Sequence, residues 1–211
     1  MEDNSKYIVL SLFDYSGNWS RPWKDAGYDV RQIDIKHGDD VLTYEPPTEN
    51  VYCVLAAPPC TAFTVAGSRW WKKKDGNGET KAGLALAKRS VEIIEMCKPR
   101  VHAIENPVGR LGTLLLGKAN FIFHPHWYAG YSPEPEKDRY TKKTCLWGEF
   151  KMPERRDMEP IIYELTSKSG KTYRGSYYWA KLGGKSEKTK TLRSNTPQGF
   201  AQAFYEANKR V

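Results

Sequence analysis

Short apolar runs typical of buried strands recur along residues 7–148, separated by stretches with helical spacing. Apolar positions recur every three or four residues between 81 and 97, which predicts a helix there, and a second helix is predicted over residues 198–209. Strands that alternate with helices predict an α/β fold with a mostly parallel sheet and helices on both faces. The predicted strands are residues 7–13, 28–34, 51–57, 101–104, 121–123 and 144–147.

Polar or reactive residues follow four of these strands at the point where each strand ends. Residues 13–18 form a polar, glycine-containing turn, and Asp34 closes the second strand. The third strand leads into Pro58-Pro59-Cys60 and the fourth into Glu105-Asn106-Pro107. In open α/β sheets the ligand lies off the carboxyl ends of the strands, so the four segments predict one shared site.

The turn at residues 13–18 has the position of a nucleoside-cofactor loop, where the backbone and a helix N-terminus meet the ligand. Ser16 or Asn18 is expected to cap a short helix that runs through residues 23–26. Asp34 stands where a ribose-binding carboxylate belongs in such folds, and a solvated charge is the alternative.

Cys60 is predicted to be a nucleophile. Consecutive prolines hold it rigidly at a strand end, and a helical crossover between adjacent parallel strands brings Glu105 beside it. A thiolate can add to C6 of a pyrimidine while a neighbouring acid hydrogen-bonds or protonates N3. For Cys60 considered alone, the alternative is a structural role as a small buried apolar residue. For Glu105 considered alone, the alternative is a surface or helix-capping carboxylate.

The order of these motifs resembles the cytosine-C5 DNA methyltransferases, most closely the short versions found in phages and prophages. The resemblance covers residues 7–148 and 193–208, and Pro58-Pro59-Cys60 and Ile104-Glu105-Asn106-Pro107 are its most specific parts. It implies a Rossmann-like S-adenosylmethionine-dependent methyltransferase fold. It also implies transfer of a methyl group from S-adenosylmethionine to C5 of cytosine in DNA, through a covalent adduct with Cys60.

The resemblance assigns roles to individual residues. Phe13 is expected to pack on the adenine ring, Asp34 to hold the ribose hydroxyls, and Pro58 to lie against the methionine portion. Asp40 and Val41 are expected to line the adenine edge. The expected cofactor-binding residues are Phe13, Asp14, Tyr15, Gly17, Asn18, Asp34, Ile35, Asp40, Val41, Pro58, Asn195 and Thr196. The expected catalytic residues are Cys60, Glu105, Asn106, Lys142 and Thr144.

Two segments depart from the family pattern. Tyr15 and Asn18 stand where the family has small residues. In place of a Gln-x-Arg-x-Arg strand, residues 140–144 are Tyr-Thr-Lys-Lys-Thr. Lys142 is expected to supply positive charge near the cytosine carbonyl or a phosphate without the rigid fork of an arginine, and Thr144 is a neutral donor. Residues 193–197 are expected to fold back on the cofactor.

The formal net charge of +8 indicates a polyanionic partner. Most of the excess lies in residues 151–193, which hold 11 lysines and arginines against 5 aspartates and glutamates. DNA binding is the functional interpretation and a solvated lysine-rich loop the alternative. Clusters of aromatic and basic residues at 69–74 and 174–181 favour nucleic-acid binding through base stacking and phosphate contacts. For Trp70 and Trp71 the alternative is packing in the core. The expected nucleic-acid-binding residues are Arg69, Trp70, Lys72, Lys73, Lys74, Lys168, Lys171, Arg174 and Lys181.

The chain is expected to comprise a catalytic domain at residues 1–148, a basic insertion at 149–192 and a C-terminal helical segment at 193–211 that packs back. The insertion serves as a reduced target-recognition region, and residues 164–191 predict a β-hairpin or a mobile segment. Four widely spaced cysteines indicate neither a disulfide framework nor a zinc site, and no metal is expected. No apolar run approaches the roughly 20 residues of a membrane span. We expect a cytoplasmic monomer, in the host cytoplasm if a phage encodes it.

Three alternatives remain at this stage. An amino-methyltransferase acting on adenine N6 or cytosine N4 has a similar Pro-Pro loop, but Ala57 and Cys60 flank the prolines here and Glu105 would have no task. A non-catalytic DNA-binding or decoy protein on a methyltransferase scaffold has no need to bind the cofactor. Duplex DNA is the expected partner, and single-stranded DNA, RNA or a free nucleotide are the alternatives that keep the chemistry.

Overall fold

A computed structural model describes residues 3–167, 169–176, 180 and 186–211. Its central sheet has six strands in the order β2-β1-β3-β4-β6-β5. They are β1 (Ile8–Leu12), β2 (Asp29–Ile33), β3 (Val51–Ala56), β4 (Val101–Pro107), β5 (Phe121–Phe123) and β6 (Thr144–Glu149). The first four run parallel, and β6 is antiparallel to β4 and β5. The predicted α/β class and mostly parallel sheet are confirmed.

Helices cover both faces of this sheet, as predicted. The helices are α1 (Arg21–Asp25), α2 (Trp71–Gly76), α3 (Glu79–Cys97), α4 (Pro135–Asp138), α5 (Glu187–Ser194) and α6 (Gln198–Asn208). Ile93 of α3 packs in one core cluster with Leu10 and Val54. Phe200 of α6 packs in the other with Val9. Every residue of β1 and β3 is buried, because parallel strands covered on both faces are apolar at consecutive positions.

The strand order reverses between β1 and β3. From β1 the chain crosses to β2 on one side, and from β3 it crosses to β4 on the other side. Such a switch point leaves a crevice between the two carboxyl ends, where ligands bind in open α/β sheets. The turn at residues 13–18 follows β1 and Pro58-Pro59-Cys60 follows β3, so both segments flank this crevice.

The short helix after the first turn is capped differently from the prediction. α1 has Ser20 at its N-cap position, no side chain caps it, and Pro22 lies in its first turn. The prediction of Ser16 or Asn18 as the cap was therefore wrong. The Ser20 hydroxyl donates to the Asp14 carboxylate at 2.9 Å, so it holds the turn and not the helix.

The basic segment contains a β-hairpin, one of the two alternatives predicted for residues 164–191, and a helix that the sequence pattern did not predict. β7 (Ile162–Thr166) and β8 (Thr172–Ser176) pair antiparallel in a separate two-stranded sheet. The preceding residues are extended and bound to the body, with the Arg156 amide donating to the Trp127 carbonyl at 3.1 Å. α5 then leads into α6, which ends within one residue of its predicted end. Among the described residues, no helix has both the length and the apolar character to cross a membrane.

Candidate active site

Cys60 and Glu105 lie just beyond the paired ends of two adjacent parallel strands. Ala56 of β3 pairs with Ile104 of β4, so Glu105 directly follows the last position of β4 that pairs with β3, and Cys60 follows Ala56 after three intervening residues. The prediction that this strand stops at residue 104 was wrong, because β4 continues to Pro107 and Glu105 pairs there with Leu146 of β6. The Cys60 carbonyl accepts a 2.9 Å hydrogen bond from the Phe63 amide, which starts a tight turn at the nucleophile. Both predicted catalytic side chains are partly buried.

Asn106 joins the two strand ends. Its side-chain amide donates to the Pro58 carbonyl at 2.8 Å, and its side chain is fully buried. Among the described residues, its Oδ1 has no hydrogen-bond partner. Asn106 therefore connects the loop that carries the cysteine with the strand that carries Glu105.

Burial raises the pKa of both Cys60 and Glu105, and nearby positive charge lowers it. Burial raises the pKa of the Cys60 thiol, and the neighbouring Glu105 raises it further. Lys142 and Arg193 lower the pKa of Cys60. Burial also raises the pKa of Glu105, which favours its protonated, proton-donating form, and Lys142 opposes this effect. One lysine thus acts on both reactive groups, as their mutual proximity requires.

Lys142 is held between β6 and the C-terminal segment. Its ammonium donates to the Arg193 carbonyl at 3.4 Å. The Thr144 hydroxyl donates to the Lys142 carbonyl at 3.2 Å, and Thr144 itself is buried. Thr144 therefore orients the backbone that presents Lys142, a role that the motif alone did not indicate.

The turn after β1 is organised around Asp14. Its buried carboxylate accepts from the hydroxyls of Ser11 and Ser20, each at 2.9 Å, and from the Ser16 hydroxyl at 3.3 Å. Asp14 was expected at the cofactor, and its carboxylate is occupied by the turn. Phe13 has a left-handed backbone with φ of +62°, an unfavourable conformation for a non-glycine residue and one that recurs at ligand-binding loops.

A carboxylate, Asp34, and an exposed apolar side chain, Ile35, lie next to each other after β2. The Asp34 carboxylate is nearly buried and accepts from the Lys36 amide at 2.9 Å, which starts a short 3₁₀ helix. Ile35 is 69% exposed, so a large apolar side chain stands uncovered beside a carboxylate. Asp40 accepts from the Leu42 amide at 2.9 Å, and Val41 is buried in the core.

Tyr15 connects the first turn to the loop after β2. Its ring lies 5.1 Å from that of His37, and the Lys36 ammonium lies 4.8 Å from its centroid. Gly17 has φ of +68°, and a Cβ there would lie 2.8 Å from the end of the Gln32 side chain, so a larger residue would be strained at this position.

Three loops bind the segment from Thr191 to Thr196. The Asn18 amide donates to the Thr196 carbonyl at 3.2 Å, and the Lys36 ammonium to the Thr191 hydroxyl at 3.1 Å. The bond from Lys142 to Arg193 is the third. Because Asn195 is part of the same segment, the C-terminal residues expected to fold back do lie across the strand ends.

Arg110 secures the segment that follows the nucleophile. Its guanidinium donates to the Ala62 carbonyl at 3.1 Å, forms an ion pair with Asp75 at 2.7 Å and lies 4.8 Å from the Trp71 ring centroid. A Cβ at the preceding Gly109 would lie 2.1 Å from the Phe63 carbonyl, so only glycine permits this approach. The sequence pattern did not indicate Arg110, because its partners are distant in the chain.

The residues expected to bind nucleic acid occupy two places. Arg69, Trp70, Lys72 and Lys73 are exposed on the segment after Cys60. Lys74 belongs to that segment, and its ammonium donates to the Thr61 carbonyl at 2.6 Å. Lys171 and Arg174 are exposed on the hairpin, whereas Lys168, Lys181 and the aromatic residues 177–179 lie outside the described residues.

A pocket of about 590 Å³ lies away from this site, at the amino ends of the parallel strands. Its walls include Tyr52, Arg100, Lys151 and Arg210. Cys60 and Glu105 do not line this pocket, so it is separate from the reactive groups described above. In the described part of the chain, no cluster of three or more histidine, cysteine, aspartate or glutamate side chains is arranged to hold a metal ion.

No protein-family model matches the chain, and no curated protein is significantly similar to it.

Proposed function

We propose that this protein is a DNA cytosine-5 methyltransferase with S-adenosylmethionine as the methyl donor and Cys60 as the nucleophile. The observation that carries the proposal is the position of Cys60 and Glu105 just beyond the paired stretch of two adjacent parallel strands, where burial raises the pKa of both and the charge of Lys142 opposes that rise. An exocyclic amine needs no nucleophilic thiol, so this pair favours attack on the ring itself.

The proposed reaction assigns one task to each group. The Cys60 thiolate forms a bond to C6 of cytosine. The ring electrons that this bond displaces move to N3, and N3 takes the proton of Glu105. C5 then takes the methyl group as the bond from that group to the donor's sulfonium sulfur breaks. Water takes the C5 proton, the N3 proton returns to Glu105, and departure of the thiolate restores the aromatic ring. Lys142 stabilises the thiolate before addition, and Asn106 holds the Cys60 loop against β4.

The residues at the switch point fit the methyl donor. Asp34 offers a carboxylate to the ribose hydroxyls, and the exposed Ile35 offers an apolar surface to the adenine. Phe13 and Asn18 lie on the other side of the crevice, with Asn195 and Thr196 beyond. When bound, S-adenosylmethionine supplies an electrophilic methyl group. We therefore assign the Rossmann-like sheet to the S-adenosylmethionine-dependent methyltransferase fold.

The proposal is tested by trapping the covalent adduct. The wild type and the Cys60→Ser variant are incubated with S-adenosylmethionine and DNA containing 5-fluorocytosine, and protein–DNA adducts are measured by denaturing electrophoresis and intact mass. The wild type should be trapped, because fluorine cannot leave C5 as a cation. Cys60→Ser should form no adduct and should still bind S-adenosylmethionine.

Cys97→Ser is the matched control, since Cys97 is a free thiol away from the site that donates a hydrogen bond to the Pro47 carbonyl. It should be trapped like the wild type. Near wild-type methyl transfer by Cys60→Ser would exclude the covalent mechanism. A wild type that does not bind S-adenosylmethionine would favour the decoy alternative.

A further inference from the structure

The pocket of about 590 Å³ at the amino ends of the parallel strands is strongly basic. Of the described side chains that line it, four are cationic, those of Arg100, Lys151, Lys209 and Arg210, and one is acidic, that of Glu149. Its volume lies in the range of about 300–1,000 Å³ that is typical of small-molecule sites. We call it the basic pocket.

Buried hydrogen bonds fix the walls of the basic pocket. The side chain of Asn208, at the end of α6, donates to the Lys151 carbonyl at 3.0 Å and accepts from the Lys151 amide at 2.7 Å. The Tyr52 hydroxyl of β3 donates to the Asn208 carbonyl at 2.9 Å. These contacts join β3, the chain after β6 and α6, so a ligand meets a site that is already formed and loses less free energy to ordering it.

Arg210 is held in place by residues that lie outside the pocket. Its guanidinium carbon lies 3.8 Å from the centroid of the Tyr7 ring, and its Nη1 donates to the Asn4 side-chain oxygen at 3.4 Å. Its amide donates to the Tyr28 hydroxyl at 3.1 Å. A guanidinium whose face is stacked on an aromatic ring still has N–H donors along its edge, where an anion can bind.

The positive charge of the basic pocket is not balanced by its own residues. Arg100 and Lys151 are exposed, and neither forms an ion pair with any described residue. Four cations and one carboxylate leave the lining side chains with an excess of three positive charges. A phosphate monoester carries roughly 1.5 to 2 negative charges at neutral pH, so two phosphate groups match this excess better than one.

The position of the basic pocket separates it from a nucleic acid bound at Cys60. Tyr52 lines the pocket, and the strand from Tyr52 to Ala56 spans roughly 13 Å at about 3.3 Å per residue before the chain continues to Cys60. The pocket and the nucleophile therefore lie at opposite edges of the sheet. A concave site of this volume also suits a small molecule better than a duplex.

We propose that the basic pocket binds a small molecule that carries two or more phosphate groups. Arg100 and Arg210 provide guanidinium donors, which suit bidentate contact with phosphate oxygens, and Lys151 and Lys209 provide further positive charge. The ligand connects the amino ends of β3 and β4 with the end of α6, so its binding stabilises the folded chain.

The test measures the binding of tripolyphosphate, which has the phosphates and no other group, by isothermal titration calorimetry at about 0.15 M salt. The wild type should bind it saturably, and inorganic phosphate should bind on the order of tenfold more weakly or less. Arg100→Gln and Lys151→Gln should each weaken tripolyphosphate binding on the order of tenfold or more. ATP in place of tripolyphosphate shows whether a nucleoside adds to the affinity that the phosphates provide.

Two variants serve as controls. Arg100→Lys keeps the charge and should recover part of the affinity. Lys98→Gln removes an exposed charge two residues before Arg100 that does not line the pocket, and it should bind tripolyphosphate like the wild type. Tripolyphosphate should also raise the thermal unfolding temperature of the wild type and of Lys98→Gln more than that of Arg100→Gln.

Three outcomes would overturn the inference. The first is a wild type that does not bind tripolyphosphate at millimolar concentration, and the second is equal affinity in the wild type, Arg100→Gln and Lys151→Gln. The third is displacement of tripolyphosphate by a cytosine-free duplex of dA and dT whose own affinity falls in Arg100→Gln, since the pocket would then bind nucleic acid. No measurement here requires methyl transfer, so failure of the methyltransferase proposal would leave these results unaffected.

Discussion

The side-chain amide of Asn106 donates a hydrogen bond to the carbonyl oxygen of Pro58 across the ends of β3 and β4. The separation of the Cys60 loop from Glu105 is therefore held by a buried side chain as well as by the sheet. The same side chain keeps a buried Oδ1 without a partner among the described residues, an arrangement that normally costs stability.

Asn106→Ala should lose rate more than it loses affinity for S-adenosylmethionine. The Pro58 carbonyl loses its donor and the Cys60 loop can shift, so we expect the rate to fall tenfold or more for a displacement of about 1 Å. Stability should fall by about 1–2 kcal/mol. Asn120→Ala is the control, because Asn120 bonds to Gly148 at the other end of β6. A loss of stability with an unchanged rate would leave Asn106 a purely structural residue.

Glu105→Gln should lower the rate on the order of 100-fold, because glutamine keeps the shape and cannot deliver a proton to N3. DNA affinity should change far less. Single-turnover methyl transfer with saturating DNA measures the rate directly. If affinity collapses while the saturated rate holds, Glu105 binds the substrate and does not act as its acid.

The same substitution should alter the pH dependence of stability. Burial raises the pKa of Glu105 in the folded chain above its unfolded value, so its contribution to stability is complete below the unfolded pKa and is lost as pH rises through the folded pKa. Urea unfolding should therefore show Glu105→Gln gaining free energy of unfolding relative to the wild type between mildly acidic and neutral pH. An equal difference at both pH values would contradict the raised pKa.

Lys142→Gln should move both limbs of the pH–rate profile to higher pH. Lys142 lowers the pKa of Cys60 and of Glu105, so removing its charge delays thiolate formation and also keeps Glu105 protonated to higher pH. The profile of kcat/KM against pH measures both limbs. Lys143→Gln, an exposed neighbour, should leave them in place. A shift confined to one limb would mean that Lys142 serves only one of the two groups.

Neutralising Lys168, Lys171, Arg174 and Lys181 together should weaken DNA binding and flatten its salt dependence. Each lost phosphate contact on duplex DNA should reduce the log–log slope by roughly 0.9, and affinity for S-adenosylmethionine should not change. The control removes four exposed cations near the amino ends of the parallel strands and the end of α6, namely Lys6, Lys98, Arg100 and Lys209. Equal slopes for the two quadruple variants would assign the charge of the basic segment to solubility.

The strands and the positions of Cys60 and Glu105 beyond the paired stretch of β3 and β4 could be predicted because they depend on local pattern and on one topological rule. β1 and β3 are uninterrupted apolar runs, and a crossover between parallel neighbours leaves consecutive strand ends side by side. The motif therefore required no knowledge of distant contacts.

The remaining features depend on contacts that no local pattern reveals. The side chains of Ser11, Ser16 and Ser20 reach the Asp14 carboxylate, so the serine expected to cap α1 bonds elsewhere. α5 lacks an apolar stripe and was not recognised as a helix, although Ser186 caps it by accepting from the Thr189 amide at 3.2 Å. The bond between Asn18 and Thr196 joins residues 178 positions apart, a separation that only the complete fold can close.

That last separation bears on how the protein is made. The first turn leaves the ribosome long before the segment from Thr191 to Thr196. A nascent chain that stops short of this segment can already contain β1, β3, β4 and Cys60, but it lacks the cation of Arg193 and the partner of Asn18. The thiol is therefore synthesised well before the residues that lie across the strand ends.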